Sequence, residues 1–278
     1  MNNKKGSSFR GFMKFAVLYL GRLLTVAFIL FPIGYTLEYV QNSPYGQQRF
    51  SVRHLEINGI QNAEGTALET LVRRSLPANL LQVNPGQIRE VVESEPWVKS
   101  ASVRRLLPNR LLITIEERQP VAVATVDGEF YIVDAEGRVL DRYGARHKAL
   151  DGPIVKGLIN VARENAREDN QERMRAYLAV IADFRTAPAD LLTYISEIDV
   201  QNPRKVALIP TDEPIPVFVG DRAFLHRYQI FRNSHGVFEE LKRQYGTIEY
   251  VDVTFEDKII FHTPHEQQAL MRTEAQIR

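Results

Sequence analysis

The chain has no cysteine. That excludes a disulfide framework, a thiolate metal centre, a thiol nucleophile and a lipid-modified anchoring cysteine. It has no excess of charge either: 35 basic residues stand against 34 acidic ones, a formal net charge of +1 over 278 residues. Such a balance argues against nucleic acid as a partner, which needs a concentrated basic face. Common catalytic motifs are missing too: there is no G-x-S-x-G elbow, P-loop, G-x-G-x-x-G turn or H-E-x-x-H helix. His262 and His265 have a ligand-like spacing, but they flank Pro264 and no third ligand is evident. The neighbours Glu116-Glu117 and Glu239-Glu240 point in different directions on a strand or helix and read as solvated charge. The mixed-sign run 163–175 reads as exposed helix surface. No pair of carboxylates can be assigned to a cleft, as a cell-wall hydrolase requires. No catalysis, cofactor, metal or small-molecule substrate is expected.

What the chain does have is one apolar run, Phe15 to Leu37, interrupted only by Arg22. A helix needs roughly 20 residues to cross the hydrocarbon core. The uncharged part begins at Leu23, so a spanning helix includes Arg22 near one end, where its side chain snorkels to the headgroups. Tyr19, Tyr35 and Tyr39 suit the interfaces, and Pro32 is tolerated as a kink. Residues 1–22 carry Lys4, Lys5, Arg10, Lys14 and Arg22 and no acid, so the N-terminus is expected inside and everything after residue 40 outside. One rival reading is a cleaved signal peptide, against which stands the lack of a small-x-small site after Leu37. Another is a buried core helix, against which stands the one-sided charge. The expected layout is a cytoplasmic tail over 1–14, a transmembrane helix over 15–37 and a polar linker over 38–50.

Between Ser51 and Gln119 the pattern is strand, helix, helix, strand, strand. Val52, Leu55 and Ile57 give a strand ending at the Asn58-Gly59 turn. Leu68, Leu71, Val72 and Leu76 share a helical face that Pro77 stops. Asn84, Pro85 and Gln87 announce a second helix, which Pro96 ends. Trp97, Ala101 and Val103 line one face of the next strand, placing Trp97 at the start of a central strand. Leu107 to Arg110 form the turn, and Leu111, Ile113 and Ile115 line the last strand. Each apolar stripe needs a shared core, so a small sheet with two helices on one face follows.

This pattern, with "PWVKSASVRRLLPNRLLITIEERQPVA" over 96–122, resembles a POTRA domain. A POTRA domain directly behind one membrane helix is similar to the FtsQ/DivIB family of bacterial cell-division proteins. Short strands follow at 121–126, 130–134 and 138–142, with Asp127-Gly128 and Glu136-Gly137 as turns. The 152–157 segment reads as a further short strand. A helix is expected over about 165–185, strands at 195–200, 205–209 and 216–219, a helix over 224–244, and strands at 247–255 and 258–262. "VAV…DGEFYIVDAEGRVL" and "IEYVDVTFEDKIIF" also resemble the family's second domain. The fold expected is therefore α+β: a transmembrane helix, a POTRA domain over 51–119, and a mixed-sheet domain with packed helices over 120–264. A polar tail covers 265–278.

The resemblance implies a non-enzymatic divisome scaffold in the cell inner membrane, enriched at the septum and bound to FtsB and FtsL. It implies a partner-binding strand made of Thr254, Phe255, Asp257, Ile259, Phe261 and His262. Strand addition to an open sheet edge supplies the physical route. The plainer alternative is that Phe255, Ile259 and Phe261 are core-facing residues of an ordinary terminal hairpin. A different function compatible with a POTRA module is a membrane-anchored chaperone or secretion component.

Overall fold

The computed structural model describes residues 19–32, 35, 39, 43–147, 150–160, 165–187 and 191–263. Helix α1 covers 19–32, with every side chain exposed, Phe28 to 82%. Among the described residues no helix is long and apolar enough to cross a membrane. The expected span over 15–37 runs past them, since 15–18, 33–34 and 36–37 lie outside, as do the tail over 265–278 and His265. Beyond α1 the chain divides into two compact units between Glu117 and Arg118.

In the first unit, α2 (Pro44–Arg49) leads to β1 (His54–Asn58), α3 (Gly65–Ser75), a 3-10 turn over Leu80–Gln82, α4 (Pro85–Glu93), β2 (Val98–Leu106) and β3 (Arg110–Glu117). The sheet order is β1-β3-β2, with β1 parallel and β2 antiparallel to β3. A parallel pair needs a crossover, which α3 and α4 supply. Leu111, Ile113 and Ile115 face inward and pack with Leu68 and Val72 of α3 and Ile88 and Val92 of α4. Helix α4 starts as its sequence dictates: Asn84 Oδ1 accepts the Gly86 N–H at 2.9 Å, and Pro85 occupies the first turn.

Three expectations need correction here. Strand β1 begins at His54 instead of Val52, because the Arg53 and His54 N–H groups both point at the Asn109 carbonyl (3.0 and 3.3 Å). Trp97 is buried but precedes an edge strand, not a central one, and a bulge between Val98 and Ser100 puts Val98 in the core alongside Ala101 and Val103. Glu117 is not solvated charge. Its buried carboxylate accepts the N–H groups of Gln61 (2.8 Å), Asn62 (2.9 Å) and Ala63 (2.9 Å), plus the Asn62 side-chain amide at 3.0 Å.

The second unit is one nine-stranded sheet, ordered β12-β11-β10-β9-β8-β7-β4-β5-β6. Its strands are β4 (Pro120–Val126), β5 (Glu129–Asp134), β6 (Val139–Arg142), β7 (Ile154–Lys156), β8 (Ile195–Asp199), β9 (Val206–Pro210), β10 (Val217–Gly220), β11 (Tyr250–Asp252) and β12 (Ile260–His262). Parallel pairs occur at β4–β7, β7–β8 and β10–β11, so the sheet is mixed. The last two enclose the helices: α5 (Ala166–Phe184) links β7 to β8, while α6 (Phe224–Asn233) and α7 (His235–Tyr245) link β10 to β11. One core joins Met174, Tyr177 and Phe184 of α5, Tyr228 and Phe231 of α6 and Phe238 of α7 to the inward residues of the sheet.

The single helix expected over 224–244 is broken at Ser234, whose N–H bonds back to the Ile230 and Phe231 carbonyls. Asn233, Ser234 and Gly236 are all poor helix formers, which makes this the weakest point of the run. The terminal strands are shorter than the periodicity suggests, three residues each. Thr254, Phe255, Asp257 and Ile259 therefore lie between β11 and β12 rather than in a strand.

Candidate partner-binding edge

Strand β12 occupies one end of the nine-stranded sheet, and among the described residues no strand pairs with its outer side. It runs antiparallel to β11, with Tyr250 opposite His262, Val251 opposite Phe261 and Asp252 opposite Ile260. The direction of its backbone groups follows from β11. Val251 and Val253 donate toward β10, to the Pro216 and Phe218 carbonyls, both at 3.0 Å. Tyr250 and Asp252 therefore face β12 and engage His262 and Ile260. Phe261, between those two, turns its N–H and C=O outward along the open edge.

Side chains fix this strand from both faces. On the helix side Ile259 and Phe261 are buried, and Phe261 ends a row of rings in which Phe184, Tyr228, Phe231, Phe238 and Phe261 follow at centroid spacings of 5.5, 6.1, 6.0 and 6.4 Å. On the opposite face His262 stacks on Tyr250 at 4.6 Å with the rings 8° apart, and its Nδ1 lies 3.0 Å from a Glu249 carboxylate oxygen. Tyr250 meets Phe218 edge to face at 5.4 Å, and the Lys205 ammonium sits 4.2 Å over the Phe218 ring. Lys205 also reaches the largely buried Asp252 carboxylate at 3.4 Å.

The loop between β11 and β12 is held at its root. Asp252 Oδ1 accepts both the N–H (3.0 Å) and the hydroxyl (2.5 Å) of Thr254. Phe255 is 43% exposed, with the Lys258 ammonium 4.7 Å from its ring centroid, and Asp257 is exposed. The six residues carried from the resemblance thus fall into three kinds of position. Phe261 in the edge strand and Ile259 one residue before it are core anchors, His262 lies on the strand's outer face, and Thr254, Phe255 and Asp257 form the adjoining loop. The plainer alternative holds for Ile259 and Phe261, which are core-facing, and fails for Phe255, which is exposed.

Sequence reading missed Tyr250, Glu249, Phe218 and Lys205 as the neighbours that complete this face. The alternation Tyr250-Val251-Asp252-Val253 was a usable signal for Tyr250. Nothing local reports that Phe218, 32 positions earlier, lies beside it.

What the edge provides chemically is the outward N–H and C=O of Phe261, flanked by aromatic and ionisable side chains. Among the described residues no group of three or more His, Asp or Glu could hold a metal ion. A three-stranded sheet under two helices followed by a mixed sheet is the architecture of a POTRA-bearing protein. Residues 50–118 match the family described as POTRA domain, FtsQ-type. Residues 122–254 match Cell division protein FtsQ/DivIB, C-terminal, a match that stops just before β12. The chain is 30% identical over 212 residues to the cell division protein FtsQ of Geotalea daltonii, covering 72% of this chain and 74% of that one. It is 23% identical over 269 residues to that of Koribacter versatilis (94% and 73%), and 24% identical over 214 residues to that of Neisseria meningitidis (77% and 82%). The chain belongs to the FtsQ/DivIB family of cell-division proteins.

Proposed function

We propose that this protein is a non-enzymatic scaffold of the division machinery that binds FtsB, in an assembly with FtsL, through the open edge of its second unit. The observation that carries the reading is the unpaired β12, with Phe261 presenting its backbone outward in a chain of this family. A segment of FtsB adds as a tenth strand and satisfies those groups. The half-exposed Phe255 ring anchors a partner side chain at the loop, and His262 contacts the partner from the outer face. Thr254 and Asp257 shape that loop, while Ile259 and Phe261 hold the edge in place.

The anchor belongs to the same proposal. Helix α1 exposes apolar side chains on all sides, and water is a poor solvent for such a helix. A span over 15–37 in the cell inner membrane, with basic residues 1–14 inside, accounts for it and holds the POTRA domain (51–119) and the sheet domain (120–264) outside, at the septum.

The test replaces Phe255, an exposed residue, by Glu in the full-length protein and measures its affinity for FtsB. Binding falls about tenfold or more if the ring is an anchor. Undiminished affinity in the folded variant removes the loop from the interface. For the anchor, a C-terminal reporter active only in the cytosol refutes the stated topology.

A further inference from the structure

The POTRA unit carries a second surface that the divisome edge does not use: the tip of its β2–β3 hairpin. Residues 104–108, Arg104-Arg105-Leu106-Leu107-Pro108, are all exposed, with Leu107 at 62% and Leu106 at 37%. Exposed leucines at the end of a hairpin do nothing for the core beneath, where Leu111 and Ile113 are already sealed. Charge gathers around them. Arg49, Arg53, Arg104, Arg105 and Arg110 are all exposed at this end of the unit, and Glu56, which pairs with Arg110, is the acid among them. Arg53 bonds to the Gln48 carbonyl and the Ser51 hydroxyl, Arg105 bonds to the Leu81 carbonyl at 3.0 Å, and among the described residues Arg104 has no acidic partner. This concentration exists in a unit whose sequence over 51–117 is charge-balanced, so it is a matter of placement, not of composition.

The second observation is where this tip sits along the chain. The Asn109 carbonyl at the turn receives the N–H groups of Arg53 and His54. The Phe50 carbonyl receives the Leu80 N–H at 2.7 Å, and Arg105 reaches Leu81 in the same turn. The hairpin tip is thus bound to the point where the chain enters the unit. Arg53 follows Leu37 by 16 residues. Six of these are helical, so the tip lies within about 45 Å of chain from the end of the apolar segment. Tyr45, 68% exposed in α2, lies on that path.

From these we infer that the β2–β3 hairpin tip rests on the membrane surface, with Leu106 and Leu107 in the interfacial layer and the arginines on anionic headgroups. The inference rests on the reading that residues 15–37 span the bilayer. Apolar side chains rimmed by arginine match a surface that is apolar below and anionic above. A single arginine near such a surface is worth about a fivefold change in partitioning. With Arg110 paired to Glu56, the other four beside a tether amount to an orienting contact, one that sets which way the unit faces, not an anchor in its own right.

The absence of cysteine makes the test direct. Leu107→Cys in the full-length protein takes a single environment-sensitive dye, and Ser100→Cys, seven residues back on β2, serves as the distant site. Both are reconstituted in nanodiscs of phosphatidylcholine alone or with phosphatidylglycerol, containing spin-labelled lipid as quencher. The expected result is strong quenching at 107 in the anionic discs, little at 100, and a loss of at least several-fold at 107 when Arg104→Glu and Arg105→Glu are added. A dye at 107 that stays unquenched in a chain residing in the discs overturns the inference and leaves the anchor intact. Equal quenching in both lipids overturns the role given to the arginines. A chain that never enters the discs overturns the anchor first and this contact with it.

Discussion

Replacing Phe261 by Ala is predicted to release strand β12 without unfolding the sheet behind it. The side chain is 9% exposed and closes the row of rings that starts at Phe184. Removing a buried phenylalanine costs about 3–5 kcal/mol, from lost transfer free energy and from the cavity left against Phe238. Elsewhere in the core that loss would be shared with a whole cooperative unit. Here it falls on a strand of three residues at the end of a sheet, paired on one side only. Ordering each residue costs roughly 1–2 kcal/mol, and a short one-sided ladder cannot offset this without its aromatic anchor. Local opening therefore absorbs the loss. A change of about 3 kcal/mol raises the open population by about a hundredfold, each 1.4 kcal/mol being tenfold. The assay is amide hydrogen exchange. Ile260 and His262, whose N–H groups face β11, should exchange about a hundred times faster, while amides of β8 and β9 keep their protection and the thermal midpoint moves little. Affinity for FtsB should fall with the strand. If β12 keeps its protection while the whole unit loses 3–5 kcal/mol, Phe261 belongs to the global core and the detachable-edge argument is wrong.

Three further outcomes follow from the packing. Burial pushes the Glu117 carboxyl up, but the N–H groups of Gln61, Ala63 and Asn62 outweigh it and leave the group below the ordinary carboxylate range. Its contribution is therefore complete above the ordinary value of about 4.3 and disappears as pH falls through the lower folded value. Urea unfolding followed by the single, buried Trp97 should show that acid-side loss, and Glu117→Gln should cost about 2–3 kcal/mol at neutral pH and flatten the dependence. Gly59 has φ +96° and a Cβ there would stand 2.1 Å from the Ile115 carbonyl oxygen, so Gly59→Ala should cost about 3 kcal/mol or more by the same fluorescence measurement. The Tyr228 hydroxyl is fully buried without a hydrogen-bond partner among the described residues, despite the nearby Arg232, and burial pushes its pKa up to about 12. Tyr228→Phe should be neutral or stabilising by up to about 1 kcal/mol in calorimetry. A larger loss would reveal a partner for that oxygen.

The amino-acid sequence determined the parts of this protein that depend on neighbours in the chain. The Asn84-Pro85 start of α4, the stop at Pro77, the Asn58-Gly59 turn and the inward alternation of Leu111, Ile113 and Ile115 were all legible, because capping, turn chemistry and period-two burial act over a few residues. The limits of α5 were legible within a residue from the helical spacing of Met174, Leu178, Ile181 and Phe184, and so was the mixed-sheet α+β class. Only the tertiary structure decided which strands are edges. Burial of β12 on one face looks the same in sequence whether a tenth strand lies beyond it or not, and a strand of three residues is too short for its alternation to fix its ends. Tertiary structure also decided that Glu117 is an acceptor for a loop some 55 residues away while Glu116 beside it stays in solvent. It set Phe218, Tyr250 and His262 side by side from three separate strands. Those contacts span long stretches of chain, so their energy resides in the register between strands and leaves no mark on any local pattern.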